Sequence, residues 1–249
     1  MRRPAARLRE AFLPGDPVSL GEAAAVLDGD RDGASQALSY LASAGYFERV
    51  RQRLWLRSGA SADSFRLAAR VADPYALAYG SALALHGGGS ADRSEVLVAS
   101  PIRFASFDHD NVHYRHVSPW SPDGLVRVPV GPEFAWATNR ERTLVECVRV
   151  PANAGGLEEV LRGVAGLRSL DPGEVIRWVD FYDEANLASR TGFVLEATGL
   201  GDESTLDALE ARRAKARFYL ESGRRGGKLA RRWNVLIPEH LAPAAGLTS

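Results

Sequence analysis

Acidic and histidine side chains gather between residues 108 and 116, and these residue types can hold metals or move protons. Asp108 and Asp110 have the i, i+2 spacing with which two strand carboxylates can hold Mg²⁺. If the segment is extended, His109 and His113 share one face and His116 takes the other. No cysteine or well-placed acid completes a tetrahedral set. A solvated polar loop is the favoured interpretation, so we expect no metal and no cofactor.

A second candidate for chemistry is the glycine-rich stretch that runs from Gly223 to Lys228. It resembles a phosphate-binding loop but has three residues rather than four between its glycines, and Leu229 replaces the Ser or Thr that would hold Mg²⁺. A glycine-rich turn is the better interpretation. Ser81 lacks a nucleophile elbow, and His86 fits a helix end better than a general base. We therefore expect a protein that is not an enzyme.

The first 57 residues have the pattern of three helices followed by a β-hairpin. Ser19 and Glu22 form a capping box before an apolar stripe of helical period, and Asp30 or Asp32 can cap the next helix. Two short strands then flank the polar tip around Gln52. This order predicts a winged helix-turn-helix, in which a small core leaves the outer face of the third helix free for the DNA major groove.

The outer face of that third helix is small, polar and nearly uncharged. Gln36 is the best candidate to read a base, because its amide can pair with adenine through two hydrogen bonds. The residues predicted to contact DNA are Arg31, Ser35, Gln36, Ser39 and Tyr40 on the helix and Arg49, Arg51, Gln52 and Arg53 on the wing. The other interpretation is a winged helix used only for protein contact. Asp32 lies on the outer face of the third helix and favours that alternative. The low net charge of residues 1–57, which contain nine arginines and seven acids, favours it too.

Charge is segregated along a chain whose net charge is zero. The ends are basic and the middle is acidic, and residues 211–233 contain nine Lys and Arg but one acid, Glu221. Such asymmetry suggests a polyanionic partner. The tract is either a second nucleic-acid surface or a solvated face that pairs with the acidic middle. The residues of the proposed surface are Arg213, Arg217, Arg224, Arg225, Lys228, Arg231 and Arg232.

The domain organisation follows from where helix and strand patterns begin and end. We predict a winged-helix domain over 1–57, a connecting linker and helix over 58–74, and a C-terminal domain over 75–249. In the last of these, helices are expected over 75–86 and 138–150, and strands over 95–99, 112–117 and 125–130. Strands and helices are clustered as much as alternated, so the predicted fold class is α+β.

Composition places the protein among soluble cytoplasmic chains. No apolar run approaches the ~20 residues of a membrane span, and the two N-terminal arginines lack an apolar segment after them, so we expect neither a membrane segment nor a secretory signal. The single cysteine, Cys147, excludes an intrachain disulfide and fits a reducing compartment.

Four motifs in order carry a resemblance to a known family. Residues 76–87 (ALAYGSALALHG) resemble the "SALALHG" signature of AbiEi-type abortive-infection antitoxins, and residues 137–146 (ATNRERTLVE) resemble their "ERTLVD" helix. Residues 155–160 match the stretch after it, and residues 190–196 (RTGFVLE) resemble "RLGYLLE". The similarity covers nearly the whole chain. It departs from the family at Arg53, where the wing usually has a glycine, and at Glu146, which replaces an aspartate.

The resemblance implies a two-domain antitoxin of a toxin–antitoxin or phage-defence locus. Its winged helix would repress its own operon by binding operator DNA, and its C-terminal domain would contribute to repression and to neutralisation of a nucleotidyltransferase-type toxin, with direct contact left open. The family's toxin fold carries Asp-x-Asp on the strand after its Gly-Ser turn, but here that strand reads Ser94-Glu-Val-Leu-Val98. A residual nucleotidyltransferase and an interaction protein that sequesters a toxin without binding DNA are the alternatives.

Overall fold

The computed structural model describes residues 3–88, 94–221 and 227–241, which form a mixed α+β protein. The helices are α1 (Pro4–Ala11), α2 (Leu20–Val26), α3 (Arg31–Ser43), α4 (Ser64–Ala68), α5 (Tyr79–Leu85), α6 (Arg140–Arg149), α7 (Leu157–Ala165), α8 (Pro172–Tyr182), α9 (Leu187–Thr198) and α10 (Glu203–Ala211). Short 3-10 turns occupy Pro151–Ala154, Arg231–Trp233 and Glu239–Leu241. Within these ranges no helix is both long and apolar enough to cross a bilayer.

Within the described residues, the strands form three sheets. They are β1 (Pro17–Ser19), β2 (Phe47–Arg51), β3 (Leu54–Arg57), β4 (Ala76–Leu77), β5 (Glu95–Ala99), β6 (Phe107–His109), β7 (Val112–Val117), β8 (Leu125–Val130), β9 (Glu133–Thr138), β10 (Phe218–Tyr219), β11 (Lys228–Ala230) and β12 (Val235–Ile237). The sheet orders are β1-β3-β2, β6-β7-β5-β4-β9-β8 and β10-β12-β11.

The chain divides into two compact units that are each discontinuous in sequence. The first contains the described residues up to Leu77 together with Ser94–Trp120 and Pro129–Trp136. The second contains the described residues of Ala78–Arg93, Ser121–Val128 and Ala137–Ser249. The predicted segment 75–249 therefore contributes residues to both units, because β5, β6 and β7 belong to the first and the helices from α5 onward belong to the second.

The helices at the start of the first unit begin where the sequence supplies caps. The Ser19 hydroxyl accepts a hydrogen bond from the Glu22 amide at 3.2 Å, and the Glu22 carboxylate accepts one from the Ser19 amide at 2.8 Å, which confirms the capping box. Asp30, rather than Asp32, caps α3 by accepting from the Gly33 amide at 2.8 Å. The apolar stripes of α1, α2 and α3 then share one core around Leu38 with β1, β2 and β3.

Part of the six-stranded sheet brings the 107–117 segment together within the first unit. β5 and β7 run parallel, with Val98 beside His116, while β6 and β7 are an antiparallel hairpin in which Phe107 pairs with Tyr114. The turn of this hairpin is at Asp110 and Asn111, both of which have a positive φ. Because the chain reverses there, His109 and His113 are not two positions of one extended strand.

The second unit is mainly helical. α6 packs against α5, α8 and α9, and the large aromatic side chains of Trp178 and Trp233 are fully buried. α9 approaches Trp233 through Gly192, where an added Cβ would lie 2.1 Å from the indole ring, so a side chain at this position has no space. A small sheet, in which β12 pairs in parallel with β10 and antiparallel with β11, follows α10.

Several predicted boundaries were wrong for identifiable reasons. The predicted helix over 75–86 begins only at Tyr79, because Ala76 and Leu77 pair with β5 as a short strand. Strands β6, β9 and β11 are not predicted by the sequence pattern, because they are short or depend on sheet partners far along the chain. The strands over 95–99, 112–117 and 125–130 are confirmed.

Candidate nucleic-acid interface

The α3 helix has one apolar face and one polar, solvent-facing side. Ala34, Ala37, Leu38 and Leu41 are buried, as the helical stripe predicts. Arg31, Gln36, Ser39 and Tyr40 are exposed, and Ser35 is half-buried. Tyr40 is the most prominent of them, with 65% of its surface accessible. The side of α3 that could enter a groove is therefore polar and aromatic.

The hydroxyls of this face are partly used by the helix itself. The Ser39 hydroxyl donates to the Ser35 carbonyl at 2.8 Å, and the Ser43 hydroxyl donates to the Ser39 carbonyl at 3.1 Å. Each hydroxyl oxygen still has lone pairs with which to accept, but its proton is committed. Gln36 makes no hydrogen bond of this kind with any described residue, so its amide keeps both donor and acceptor for a ligand.

A β-bulge in the hairpin separates the arginines that the sequence places two residues apart. Arg49 pairs with Trp55, but Arg51 pairs with Leu54, so the register shifts by one residue between them. Because successive residues of β3 point to opposite faces, Arg49 lies on the Trp55 face and Arg51 on the Leu54 face. The Trp55 face belongs to the three-helix core, so Arg49 lies on the same side of the sheet as α3. Arg51 lies on the other.

Arg51 contacts two aromatic rings of the first unit. Its guanidinium carbon lies 5.3 Å from the centroid of the Phe104 ring and 4.8 Å from that of Phe107. Both distances are within the range of a cation–π interaction. Burial lowers the pKa of Arg51, and its Nη1 atom is buried with no hydrogen-bond partner in the part of the chain described.

The hairpin tip presents Gln52 and Arg53 to solvent. Arg53 has a φ of +64°, in the left-handed region, and this is the position at which the resembling family has glycine. Its carbonyl accepts a hydrogen bond from the Leu20 amide at 3.0 Å, which ties the tip to the start of α2.

An ion cluster holds α4 to both the start of the chain and β9. Arg66 bonds to Asp16 at 2.8 Å and to Glu133, and Arg70 bonds to Glu22 at 3.1 Å and to Glu133 at 2.7 Å. Burial acts to raise the pKa of Glu133, but the two arginines outweigh it and hold that pKa below its ordinary value of 4.5. The cluster makes the first 57 residues continuous with the rest of the first unit.

The candidate metal ligands of the 108–116 segment make other contacts. Asp108 accepts a hydrogen bond from His113 Nδ1 at 2.8 Å, and His116 Nε2 lies 2.8 Å from the Ser100 carbonyl. His109 lies 3.7 Å from Glu48 and 3.6 Å from Asp110. Among the described residues, no group of three or more His, Cys, Asp or Glu is placed to hold a metal ion.

The basic tract is divided between acid pairs and exposed cations. Arg212 bonds to Asp180 at 2.8 Å, and Arg213 bonds to Glu210 at 3.2 Å. Arg232 lies among four acids, namely Glu196, Glu203, Asp207 and Glu210, at 2.7 to 3.5 Å. These three arginines therefore pair with acids of the acidic middle of the chain, as the second of the two interpretations predicts.

The remaining candidate residues of the basic tract are either exposed or outside the described residues. Arg217 and Arg231 are exposed and make no ion pair with any described residue, and Lys228 is exposed on β11. Arg224 and Arg225 lie outside the described residues. The second surface proposed from the sequence is thereby reduced to Arg217, Lys228 and Arg231 in the described part.

The helix with the "ERTLVE" sequence carries a fully buried ion pair. Arg142 and Glu146 are 0% and 1% exposed, and the Arg142 Nε atom donates to Glu146 Oε1 at 2.8 Å. Arg142 also donates to the carbonyls of Ser121 and Asp123 at 2.9 and 2.7 Å, and the Tyr182 hydroxyl donates to Glu146 at 2.7 Å. Burial and the neighbouring Glu146 carboxylate raise the pKa of Tyr182. In this chain these two motif residues join elements within the second unit.

His86 and Trp178 occupy structural positions in the second unit. His86 ends α5, and its Nε2 atom lies 2.7 Å from the Thr138 carbonyl. Burial lowers the pKa of His86. Trp178 is buried, as expected of a core residue, whereas Trp136 is 44% exposed on β9.

Sequence reasoning missed the partners of Arg51 and of the ion cluster. Phe104 and Phe107 follow no periodic pattern. Val50 lies at the bulge, but valine is common in regular strands, so its type does not indicate a bulge. Arg66, Arg70 and Glu133 lie up to 67 residues apart. Nothing in a single sequence links such distant residues.

Comparison with known proteins shows similarity of fold and no family. No family model and no curated protein matches the chain. Among solved structures, the Rv2827c protein from Mycobacterium tuberculosis has a similar fold, with a TM-score of 0.67 and 16% sequence identity over 98% of this chain and 93% of that one. At this identity the comparison supports the mixed α+β architecture and carries no information on activity.

Proposed function

We propose that residues 3–57 form a winged helix-turn-helix that binds DNA through α3. The observation that carries the proposal is the two-sided nature of α3, which buries four apolar side chains and leaves a continuous polar side exposed. Two short helices, α1 and α2, and a three-stranded sheet support that helix. A helix about 10 Å wide with a polar outer side fits the major groove of B-DNA.

The exposed side chains divide into those that could read bases and those that could contact phosphates. Gln36 lies near the middle of α3, where its amide can pair with adenine. Arg31 is in the first turn of α3, and Arg49 and Arg53 are exposed on the hairpin; in this proposal these cations bind phosphates. Ser39 and Tyr40 would add contacts beside Gln36.

Together with the resemblance described above, this leads us to propose a cytoplasmic DNA-binding antitoxin. It would repress its own operon and counteract a nucleotidyltransferase-type toxin in phage defence. We propose that it performs no catalysis itself, since Glu95 on β5 is bonded to Arg115 at 2.9 Å and Asp108 to His113 at 2.8 Å. Nucleotide transfer by the purified protein that Asp108→Ala abolishes would contradict this part of the proposal.

The DNA proposal is tested by fluorescence anisotropy with the DNA fragment directly upstream of the protein's own gene. Gln36→Ala should weaken binding by about 1–3 kcal/mol and relax the preference at one base position. Arg31→Ala should weaken binding to all sequences and lower the log–log salt slope by about 0.9, as expected for one lost phosphate contact.

Arg168→Ala is the matched control. It removes the same charge from an exposed position of the second unit, outside the proposed interface, and should leave both affinity and salt slope unchanged. If Arg168→Ala and Arg31→Ala have equal effects, binding is a property of net charge and not of α3. If the intact protein binds neither its upstream fragment nor unrelated DNA, the winged helix serves protein contact instead.

A further inference from the structure

The hairpin that the proposed function uses as a wing is held by another part of the first unit. Arg51 and Glu48 lie on the same face of the hairpin sheet, because their partners Leu54 and Leu56 alternate with Trp55 along β3. Both contact the 104–109 segment: Arg51 lies over the rings of Phe104 and Phe107, and Glu48 lies 3.7 Å from His109. One face of the hairpin is therefore occupied within the protein.

The 104–109 segment is itself fixed by β7. The Phe107 ring stacks on Tyr114 at 4.8 Å with an interplanar angle of 7°, and the Phe104 ring meets His116 edge-on at 5.6 Å. Tyr114 and His116 are two residues apart on one strand, so they share a face. The two phenylalanines thus form an aromatic platform on a strand of the larger sheet, and Tyr114 at its base is 1% exposed.

The contacts and partial burial of the Arg51 side chain favour one of its two conceivable roles. A phosphate contact needs a guanidinium nitrogen that the ligand can reach. Arg51 is half-buried, its guanidinium lies over two rings, and its Nη1 atom is inaccessible to solvent with no hydrogen-bond partner among the described residues, whereas Arg53, two residues on, is exposed. The bulge that turns Arg51 inward leaves Arg49 and Arg53 as the outward cations of the hairpin.

We infer that the aromatic platform of Phe104 and Phe107 sets the position of the wing, and that Arg51 is a positioning residue rather than a DNA contact. This inference rests on the proposed function for its consequence in DNA binding, but the docking of the hairpin is a property of the free protein. Wing and platform belong to one unit, so a change at the platform alters how Arg49 and Arg53 are presented.

The first experiment needs no DNA and uses hydrogen–deuterium exchange of the whole protein. In Phe104→Ala and in Arg51→Met, amides of β2 and β3 should exchange about tenfold faster than in the parent, the size expected for loss of a desolvated cation–π contact. Arg53→Met is the matched control, since it makes the same substitution at an exposed position, and it should leave exchange unchanged. If Phe104→Ala does not fold, Arg51→Met still decides.

The second experiment measures the salt dependence of binding to the upstream DNA fragment. Arg51→Met should weaken binding several-fold with an unchanged log–log slope, whereas Arg53→Met should lower the slope by about 0.9. Arg51→Lys keeps a cation over the rings and should recover part of the affinity. These two outcomes distinguish positioning from phosphate contact.

The inference is overturned if Arg51→Met leaves hairpin exchange unchanged, or if it lowers the salt slope as Arg53→Met does. A protein that binds no DNA, but whose hairpin exchanges faster in Arg51→Met, would sustain the platform and reject the proposed function. The two failures are therefore separable.

Discussion

Replacing Arg142 by Met should test how strongly the buried ion pair stabilises the second unit. The substitution keeps most of the aliphatic stem and removes the guanidinium, which donates to Glu146 and to the carbonyls of Ser121 and Asp123. Glu146, 1% exposed, would then keep the Tyr182 hydroxyl as its donor but lose its counter-charge. Removing one partner of a buried pair is costly because an uncompensated charge remains in a medium of low dielectric constant.

The expected loss in free energy of unfolding is about 3–5 kcal/mol. This value already includes the cost of leaving the Ser121 and Asp123 carbonyls without a donor, because one side chain makes all of these contacts. Arg162→Met is the matched control: Arg162 pairs with Glu158 four residues away on one helix, as Arg142 does with Glu146, but at 57% and 62% exposure. An exposed pair of this kind contributes only about 0.3–0.5 kcal/mol.

Urea unfolding followed by tryptophan fluorescence is the assay, because the Arg142 guanidinium lies 5.0 Å from the ring of the buried Trp178. The double substitution Arg142→Met with Glu146→Leu should destabilise the protein less than Arg142→Met alone, since it removes both buried charges. If Arg142→Met lowers the free energy of unfolding no more than Arg162→Met does, the Arg142–Glu146 pair is not a strongly interacting ion pair that excludes water.

Two further predictions concern acid stability and the basic tract. Because the pKa of Glu133 is lowered on folding, its contribution to stability is complete above its ordinary value of 4.5 and is lost as the pH falls through the lower folded value. Glu133→Gln should therefore flatten the dependence of unfolding free energy on pH below about 5, and an unchanged pH profile would refute this. In the basic tract, Arg217→Gln with Arg231→Gln should lower the salt slope of DNA binding by about 1.8 if these exposed cations contact phosphates. Arg212→Gln with Arg213→Gln, which breaks acid pairs, should leave the slope unchanged and lower stability by less than about 1 kcal/mol per pair.

The sequence was most informative where an element depends on its own neighbours. The Ser19–Glu22 capping box and a cap of α3 by Asp30 are confirmed, because a cap and the amide it accepts from are three residues apart. The buried face of α3 followed from its helical period for the same reason.

Prediction failed where distant residues decide the local structure. Ala76 and Leu77 have the composition of the helix that follows them, but a strand is formed because β5 supplies a hydrogen-bonding partner. From the sequence, Arg49, Arg51 and Arg53 are all predicted to contact DNA from the wing. The bulge at Val50 places Arg51 on the opposite face, where it meets Phe104 and Phe107.

The amino-acid sequence by itself determined the caps, the apolar stripes, the α+β class and the polar outer face of α3, since these depend on side-chain types within one or two turns. Tertiary structure decided which of the candidate cations are available to a polyanion. Arg51 lies against rings more than fifty residues along the chain, Arg212 is paired with an acid of α8, and Arg232 is paired with acids of α9 and α10. Burial and ion pairing depend on which segments pack against each other. When those segments are far apart in sequence, neither local periodicity nor composition indicates the contact.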